Sequence, residues 1–154
     1  MSHKKFIIKE KYQEVAQTTV FRVIPEKEEH AFSFFAGQHC KIINPKHSNI
    51  DARFFSIASC PSNKEYLEFA IKTYGNWTKA VSQLQVGDEL HIAGPFGKFI
   101  WDDYLTEVVF LVGGLGIAPL MSMLRYAAQR KAVTKITLIY GNTTHTTVVF
   151  RKEI

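Results

Sequence analysis

A chain of 154 residues has the length of one domain or slightly more, and its apolar content of 46% is enough to build a packed core. This composition excludes an intrinsically disordered chain. The formal net charge of +5 favours an anionic ligand, but the basic residues are interspersed with acids, which argues against nucleic acid as a partner.

Histidine and cysteine, the usual carriers of metal and thiol chemistry, show no functional spacing. The six histidines never form an HxH or HExxH pattern, so no metal site is predicted. Cys40 and Cys60 form no CxxC pair, and we expect two buried or half-buried thiols in a reducing compartment. No segment resembles a signal peptide or approaches the roughly 18 apolar residues of a membrane span. We therefore expect a soluble, cytoplasmic protein with no membrane span.

The chain up to residue 93 predicts a series of short β-strands, which are rich in β-branched and aromatic residues and separated by turn signals. The predicted strands cover residues 6–11, 18–24, 39–43, 53–58, 66–73 and 89–93. In the fifth strand, apolar residues at 67, 69 and 71 alternate with Glu68, Ala70 and Lys72, which indicates one buried face. Six strands at this spacing favour a small barrel or a sandwich.

One helix is predicted within this region, over residues 76–84. Trp77, Val81 and Leu84 recur at helical spacing, and Asn76 is a candidate N-cap residue. The free N–H groups of the helix start and the Thr78 hydroxyl could bind an anion. A capped helix that only bridges two strands explains the same residues equally well.

From Trp101 onward the pattern changes to a strand, helix, strand unit of the parallel α/β kind. Asp102 and Asp103 are predicted to lie in a solvated turn between two domains. A buried strand over 108–112, a helix with an apolar stripe from Ile117 to Ala128, and a second strand over 135–140 follow. The last residues, TTHTTVVFRKEI, could open another helix.

The glycine turn GGLGIAP, residues 113–119, lies between the predicted strand and helix. Such a turn exposes backbone N–H groups at the positive end of a helix, and phosphate is the ligand that suits them. Pro119 occupies the position where the standard dinucleotide fingerprint has its last glycine, so the turn differs from that fingerprint. Taken alone, these residues allow both a structural turn and a nucleotide site.

The segment RFFSIAS, residues 53–59, is a second candidate site. Alternation along a strand puts Arg53 and Phe55 on one side and Phe54 and Ser56 on the other. An arginine beside exposed aromatic rings could hold a phosphate and stack on a planar ligand. The alternative is a barrel strand with an arginine at its edge.

Six segments, in this order, resemble the successive signatures of the ferredoxin–NADP reductase superfamily, and more closely those of its bacterial flavin reductases. They are FFAGQH (34–39), RFFSIAS (53–59), KTYGNWT (72–78), GDELHIAGPFGKF (87–99), VGGLGIAPL (112–120) and LIYGNTT (138–144). The resemblance implies a fold of the β plus α/β class. A six-stranded antiparallel flavin-binding barrel would occupy residues 1–102, and an incomplete doubly wound parallel α/β nicotinamide domain would occupy residues 103–154.

The resemblance also implies roles for individual residues. Arg53 would pair with the flavin phosphates, Phe55 would pack on the isoalloxazine in place of the family's tyrosine, and Ser56, the expected catalytic residue, would lie close to flavin N5. Three residues would edge the flavin with their backbone groups: Ile57, Ile71 and Thr73. The pyrophosphate would lie at Gly75, Asn76, Trp77 and Thr78. The nicotinamide and pyrophosphate of NAD(P)H would lie beside Gly113, Gly114, Gly116 and Pro119.

The function that the resemblance implies is hydride transfer from NAD(P)H to FAD, which is favoured over FMN, with electrons passing on to an acceptor such as an iron–sulfur protein. The alternatives are a flavin-binding electron-transfer subunit without NAD(P)H activity and a remnant with an empty flavin site. Later elements of the family's nicotinamide domain do not follow Ile154, and Thr143 and Thr144 stand where many relatives have an arginine. We therefore expect a fragment, or a truncation that a partner or a second copy completes.

Overall fold

The structure is a computed structural model that describes residues 3–27, 30–46 and 52–154. Six strands form one antiparallel sheet in the order β4-β3-β6-β1-β2-β5. They are β1 (Lys4–Val15), β2 (Thr18–Pro25), β3 (His39–Ile43), β4 (Ala52–Ser56), β5 (Leu67–Lys72) and β6 (Glu89–Phe96). The N–H of Ala58, just after β4, donates to the carbonyl oxygen of Glu68 in β5 at 2.8 Å, so the two edge strands meet and the sheet closes into a barrel.

The six predicted strands are confirmed, with different ends for most of them. β3 has the predicted bounds, whereas β1 continues to Val15 because it pairs with β2 as far as Thr18. β6 runs beyond its predicted end at residue 93, because it continues through Gly94 and Pro95 and pairs with β3 as far as Phe96.

The helix inside the barrel region, α1, spans Asn76–Ser82 and ends two residues earlier than predicted. Its N-cap is Gly75, in an extended conformation, so the prediction of Asn76 as the cap is wrong. The cause is the backbone at Gly75, whose carbonyl accepts the N–H of Lys79 at 2.9 Å and thereby starts the helix one residue earlier.

The rest of the chain forms the predicted parallel unit. Strands β7 (Glu107–Gly113) and β8 (Lys135–Gly141) pair in parallel along their whole length. A short 3₁₀ turn, Gly114–Gly116, leads from β7 into helix α2 (Ile117–Gln129). Residues 142–154 form turns and one short 3₁₀ helix, His145–Thr147, so the helix predicted for this segment is present only as that single turn. Neither α1 nor α2 in the described chain is long and apolar enough to cross a membrane.

Two apolar clusters support the fold. The first fills the barrel and includes Phe6, Phe21 and Phe69. The second lies between α2, the outer wall of the barrel and the β7–β8 pair, and Ile117 and Met121 are among its buried members.

Because α2 covers the outer face of β5, residues 67–71 are all buried, and the prediction of a strand with one exposed face is wrong. Trp101 packs in the same cluster as α2, and a domain boundary after residue 102 stays a prediction.

The other face of the β7–β8 pair is open in the part of the chain that the structure describes. Val109, Leu111 and Ile139 are 55%, 75% and 55% exposed on this face. Phe110 and Leu138, which are next to these residues along the two strands, point to the opposite face and pack towards α2. The expectation that a second copy or a partner covers this face stays a prediction.

Candidate functional site

Strand β4 contains the first part of the predicted motif RFFSIAS, and the two faces of the strand lie in different environments. The pairing with β3 places Arg53 and Phe55 on one face and Phe54 and Ser56 on the other. Phe55 is half-buried and stacks on Trp77, with ring centroids 5.5 Å apart and an interplanar angle of 22°. Phe54 is 61% exposed on the outer face. The strand therefore exposes Phe54 to solvent, leaves Ser56 half-buried on the same face, and ties Phe55 to the barrel core.

A crevice of about 240 Å³ joins this strand to the start of α2. Phe55 and Ser56 line one side of it, and Leu115 and Ala118 line the other. The remaining lining residues are Phe54, Ala70, Lys72 and Tyr74. The walls are thus mainly aromatic and apolar, with the hydroxyls of Ser56 and Tyr74 and the amine of Lys72, which is the composition typical of a site for a planar organic group.

A second cavity, of about 460 Å³, lies where β7 and β8 end and faces the β1–β2 turn of the barrel. Gly114 of the glycine turn and Asn142 line it, and it shares Lys72 and Leu115 with the smaller crevice. The carboxyl ends of parallel strands are the usual place for a ligand in an α/β unit. The two cavities therefore adjoin at the contact between the barrel and the glycine turn.

The Nδ2 atom of Asn142 is buried beside the Tyr140 hydroxyl without a hydrogen bond of normal geometry. A buried amide donor of this kind calls for a partner, and a ligand in the second cavity could supply one. The Tyr140 hydroxyl donates to the Gly114 carbonyl at 2.9 Å, which ties the glycine turn to the end of β8. Gly114 has φ of +48°, which suits glycine at this point of the turn.

The start of α1 is more closed than the sequence suggests. The Thr78 hydroxyl accepts the N–H groups of Tyr74 and Gly75 and donates to the Gly75 carbonyl, each at 3.0 Å. Thr78 is buried, and so is Trp77. The Thr78 side chain is therefore engaged within the protein, which favours the capped-helix interpretation for that residue. A Cβ placed on Gly75 would meet nothing within 4 Å, so the space beside Gly75 is open.

Of the three residues expected to edge a flavin, Ile57 and Thr73 have their backbone N–H groups engaged within the protein. The N–H of Ile57 donates to Gln38 at 2.9 Å, and the N–H of Thr73 donates to Gln17 at 2.7 Å. Ile71 lies within the ladder between β2 and β5. A ligand at these positions would meet carbonyl groups rather than the N–H groups of Ile57 and Thr73.

Other predicted site residues lie outside the two cavity linings. Arg53 is exposed on β4, and its Nη1 atom donates to the Ala52 carbonyl at 2.9 Å. Gly113, Gly116 and Pro119 flank the lining residues along the chain without lining either cavity. Their predicted roles stay predictions.

The structure shows the surroundings of the two thiols and of the predicted inter-domain turn at Asp102 and Asp103. Cys40 and Cys60 are free, and burial raises the pKa of the Cys40 thiol to about 12, which makes it a poor nucleophile. Asp102 and Asp103 are exposed, and Asp103 forms an ion pair at 2.8 Å with Arg130, the C-cap residue of α2. Among the described residues, no group of three or more His, Cys, Asp or Glu side chains is placed to hold a metal ion.

The sequence pattern does not predict the buried charge at Glu68. This side chain is fully buried between the barrel and α2, where it accepts Arg22 at 2.8 Å and Arg125 at 2.6 Å. Burial, together with the Glu68 charge, raises the pKa of Tyr12 to about 12. Burial alone would lower the pKa of Arg125, but its bonds to Glu153 and the charge of Glu68 outweigh burial and raise that pKa.

Two family models match the chain. The oxidoreductase FAD-binding domain matches residues 5–101, and the oxidoreductase NAD-binding domain matches residues 110–154. NADH-cytochrome b5 reductase 1 of Dictyostelium discoideum is 26% identical over 156 residues, covering 99% of this chain and 54% of that protein. The reductase component of propane 2-monooxygenase from Mycolicibacterium goodii is 33% identical over 127 residues, covering 80% of this chain and 36% of that protein. The chain thus spans about half, or less, of the length of these curated relatives.

Solved structures share the fold. Phthalate dioxygenase reductase superimposes with a TM-score of 0.89 at 19% identity, covering 99% of this chain and 47% of that one. Ferredoxin-NADP+ reductase from Plasmodium falciparum superimposes with a TM-score of 0.81 at 25% identity, covering 98% of this chain and 63% of that one. The predicted fold, a six-stranded antiparallel barrel followed by an incomplete parallel α/β unit, is confirmed. The chain belongs to the ferredoxin–NADP reductase superfamily, with an FAD-binding barrel followed by the matched part of an oxidoreductase NAD-binding domain.

Proposed function

We propose that this chain binds FAD against its barrel and passes a hydride from NAD(P)H to that flavin. The observation that supports this most is the crevice in which Phe55 and Ser56 of β4 face Leu115 and Ala118 at the start of α2, beside the larger cavity at the glycine turn. Hydride transfer requires two rings in contact, and adjoining cavities on the flavin side and the nicotinamide side provide for such contact.

The residues present fit the two ligands. The aromatic and apolar walls of the crevice suit a planar ring, and Ser56 and Lys72 at its walls suit the ring's polar atoms. Arg53, exposed on the same strand, suits a phosphate. The unsatisfied Nδ2 of Asn142 suits a hydrogen-bond acceptor on a dinucleotide in the larger cavity. Bound flavin would supply the hydride-accepting chemistry and the release of electrons one or two at a time.

The acceptor of those electrons is proposed to be an iron–sulfur protein or another redox protein. This choice of acceptor is supported by the names of the relatives, which include cytochrome b5 reductases and a monooxygenase reductase component. The free thiols Cys40 and Cys60 support a cytoplasmic, reducing location.

The second candidate function is that of a flavin-binding electron-transfer subunit without NAD(P)H activity. The open apolar face of the β7–β8 pair favours it, because a partner or a second copy could dock there.

An anaerobic absorbance spectrum of the purified chain with FAD, recorded before and after addition of NADH or NADPH, tests the proposal. We expect a protein-bound flavin spectrum that bleaches on addition of the nucleotide. A bound spectrum that stays yellow would favour the electron-transfer subunit. FAD that separates completely from the protein on a desalting column would overturn the flavin site itself.

Ser56→Ala is expected to leave FAD affinity nearly unchanged and to slow flavin reduction about fivefold, because one hydrogen bond worth about 1 kcal/mol is removed at the reacting edge. Stopped-flow reduction at saturating NAD(P)H measures the rate, and titration of flavin fluorescence measures the affinity. Ser33→Ala, at an exposed serine in the loop before β3, is the matched control and should behave like the parent chain. A Ser56→Ala rate equal to that of the parent would remove Ser56 from the site.

A further inference from the structure

The buried carboxylate of Glu68 connects two strands of the barrel to helix α2. Its Oε2 atom accepts Nε of Arg22 at 2.8 Å, and its Oε1 atom accepts Nη1 of Arg125 at 2.6 Å. We call these three residues the Glu68 bridge. Replacing a buried ion pair with apolar groups is often neutral or stabilising, so stability alone is a weak explanation for such a bridge. A role in fixing the position of one element against another is the better attested use of buried charges.

Arg125 makes more contacts than an ion pair needs. Nη1 also donates to the Ala58 carbonyl at 2.7 Å, while Nε and Nη2 donate to the two carboxylate oxygens of Glu153 at 2.9 and 2.6 Å. The guanidinium lies over the Phe150 ring, 5.1 Å from its centroid. All three nitrogens of the planar group are therefore engaged, and its position is specified more closely than that of a lysine ammonium would be.

A second side chain of α2 also binds the segment that follows β4. The Ser122 hydroxyl, on the same helix and fully buried, donates to the Ser59 carbonyl at 2.7 Å. Two successive carbonyls, those of Ala58 and Ser59, are thus bonded to side chains of α2. The bridge therefore attaches α2 to the segment that directly follows β4.

The two elements held in this way are those that line the crevice. Ser56 ends β4 two residues before Ala58, and Ala118 lies two turns of α2 before Arg125. A helix rises about 1.5 Å per residue, so Ala118 lies only about 10 Å along the axis from Arg125. Sliding or tilting of α2 on the barrel would therefore change the width of the crevice almost directly.

We propose that Arg125, acting through Glu68 and the Ala58 carbonyl, is a positioning residue that sets the separation between the glycine-turn side and the β4 side of the crevice. The inference rests on the proposed function, in which NAD(P)H occupies the first side and flavin the second. Its consequence is that the bridge governs the rate of hydride transfer rather than the affinity for flavin, because misplacement of reacting rings by about 1 Å can cost a factor of about 100.

The test compares Arg125→Met and Arg125→Lys in the full chain, with Arg130→Met as the matched control. Arg130 is the C-cap residue of the same helix and also pairs with a carboxylate, that of Asp103, but the pair is exposed. At saturating NAD(P)H we expect bound FAD to be reduced at least about tenfold more slowly in Arg125→Met than in the parent chain. The dissociation constant for FAD should stay within about twofold of the parent value. Arg125→Lys should recover part of the rate, and Arg130→Met should match the parent.

A distance measurement provides a readout that does not depend on activity. Spin labels on Lys9→Cys in β1 and Ala128→Cys in α2, in a Cys60→Ser background, report the separation of barrel and helix by double electron–electron resonance. The distance distribution should broaden in Arg125→Met and narrow again in Arg125→Lys. Far-ultraviolet circular dichroism checks that both variants are folded.

The outcomes separate the two proposals. An unchanged distance distribution in Arg125→Met would overturn the positioning role, whatever the flavin chemistry. A broadened distribution with an unchanged reduction rate would overturn the link between the bridge and hydride transfer. Failure of NAD(P)H to reduce FAD in the parent chain would instead overturn the proposed function, and the distance measurement would then decide on the bridge by itself.

Discussion

Arg53→Ala is expected to weaken FAD binding by a factor of about 10 to 100, because a charge-assisted hydrogen bond to a phosphate is lost. Arg53 is exposed on β4, two residues before Phe55, at the edge strand that lines the crevice. Isothermal titration calorimetry with FAD measures the loss. Arg53→Lys keeps the charge and loses the planar fork of donors, so it should lie between the parent and the alanine variant.

Riboflavin separates the phosphate contact from the ring contact in this experiment. It carries the isoalloxazine ring and no phosphate, so its affinity should be the same for the parent chain and for Arg53→Ala. Arg151→Ala, at an exposed arginine near the end of the chain, is the control for a general loss of positive charge. An FAD affinity that does not change in Arg53→Ala would place the phosphates elsewhere. A parallel loss of riboflavin affinity would indicate a disturbed strand rather than a missing phosphate partner.

Glu68→Ala is expected to lower the free energy of unfolding by about 3 to 5 kcal/mol, since it leaves the guanidinium groups of Arg22 and Arg125 largely buried without their shared carboxylate. The side chains of Arg22 and Arg125 are only 27% and 19% exposed, so water cannot fully replace that carboxylate. Urea denaturation followed by circular dichroism measures the change. Glu68→Gln keeps the shape and one hydrogen-bond acceptor and should lose less.

Glu65→Ala is the matched control for that experiment. Glu65 lies three residues earlier, is exposed, and should change the stability by no more than about 0.5 kcal/mol. A Glu68→Ala variant as stable as the Glu65→Ala variant would mean that the two arginines find other partners. That result would also weaken the positioning role proposed for Arg125.

The strands and the parallel unit could be predicted from the sequence because their signals are local. β3 has the predicted bounds, since Cys40, Ile42 and Ile43 give it an apolar character and Gly37 and Pro45 lie on either side. The apolar stripe that begins at Ile117 likewise predicts the face of α2 that packs in the second cluster. These patterns depend only on neighbours along the chain.

The predictions that fail depend on contacts between distant residues. Glu68 occupies a polar position in an alternating strand, and nothing near it in sequence indicates that α2, more than 45 residues later, covers that position. The role of Thr78 stays open for a different reason, because a hydroxyl near a helix start has the same sequence pattern whether it binds a ligand or its own nearby backbone. The adjoining cavities also require the tertiary arrangement, since Lys72 and Leu115 come from separate parts of the fold.

The paired ends of β7 and β8, Gly113 and Gly141, affect how the larger cavity can be studied. A Cβ on Gly113 would lie 3.9 Å from the Gly141 carbonyl oxygen, and a Cβ on Gly141 would lie 3.8 Å from that of Val112, so the protein itself has room for both. Where Gly114 and Gly141 line the larger cavity, its wall is made of main chain. Alanine scanning, which finds sites by shortening side chains, would pass over it. Substitutions that add atoms, beginning with Gly141→Ala, are the ones that can show where a ligand passes.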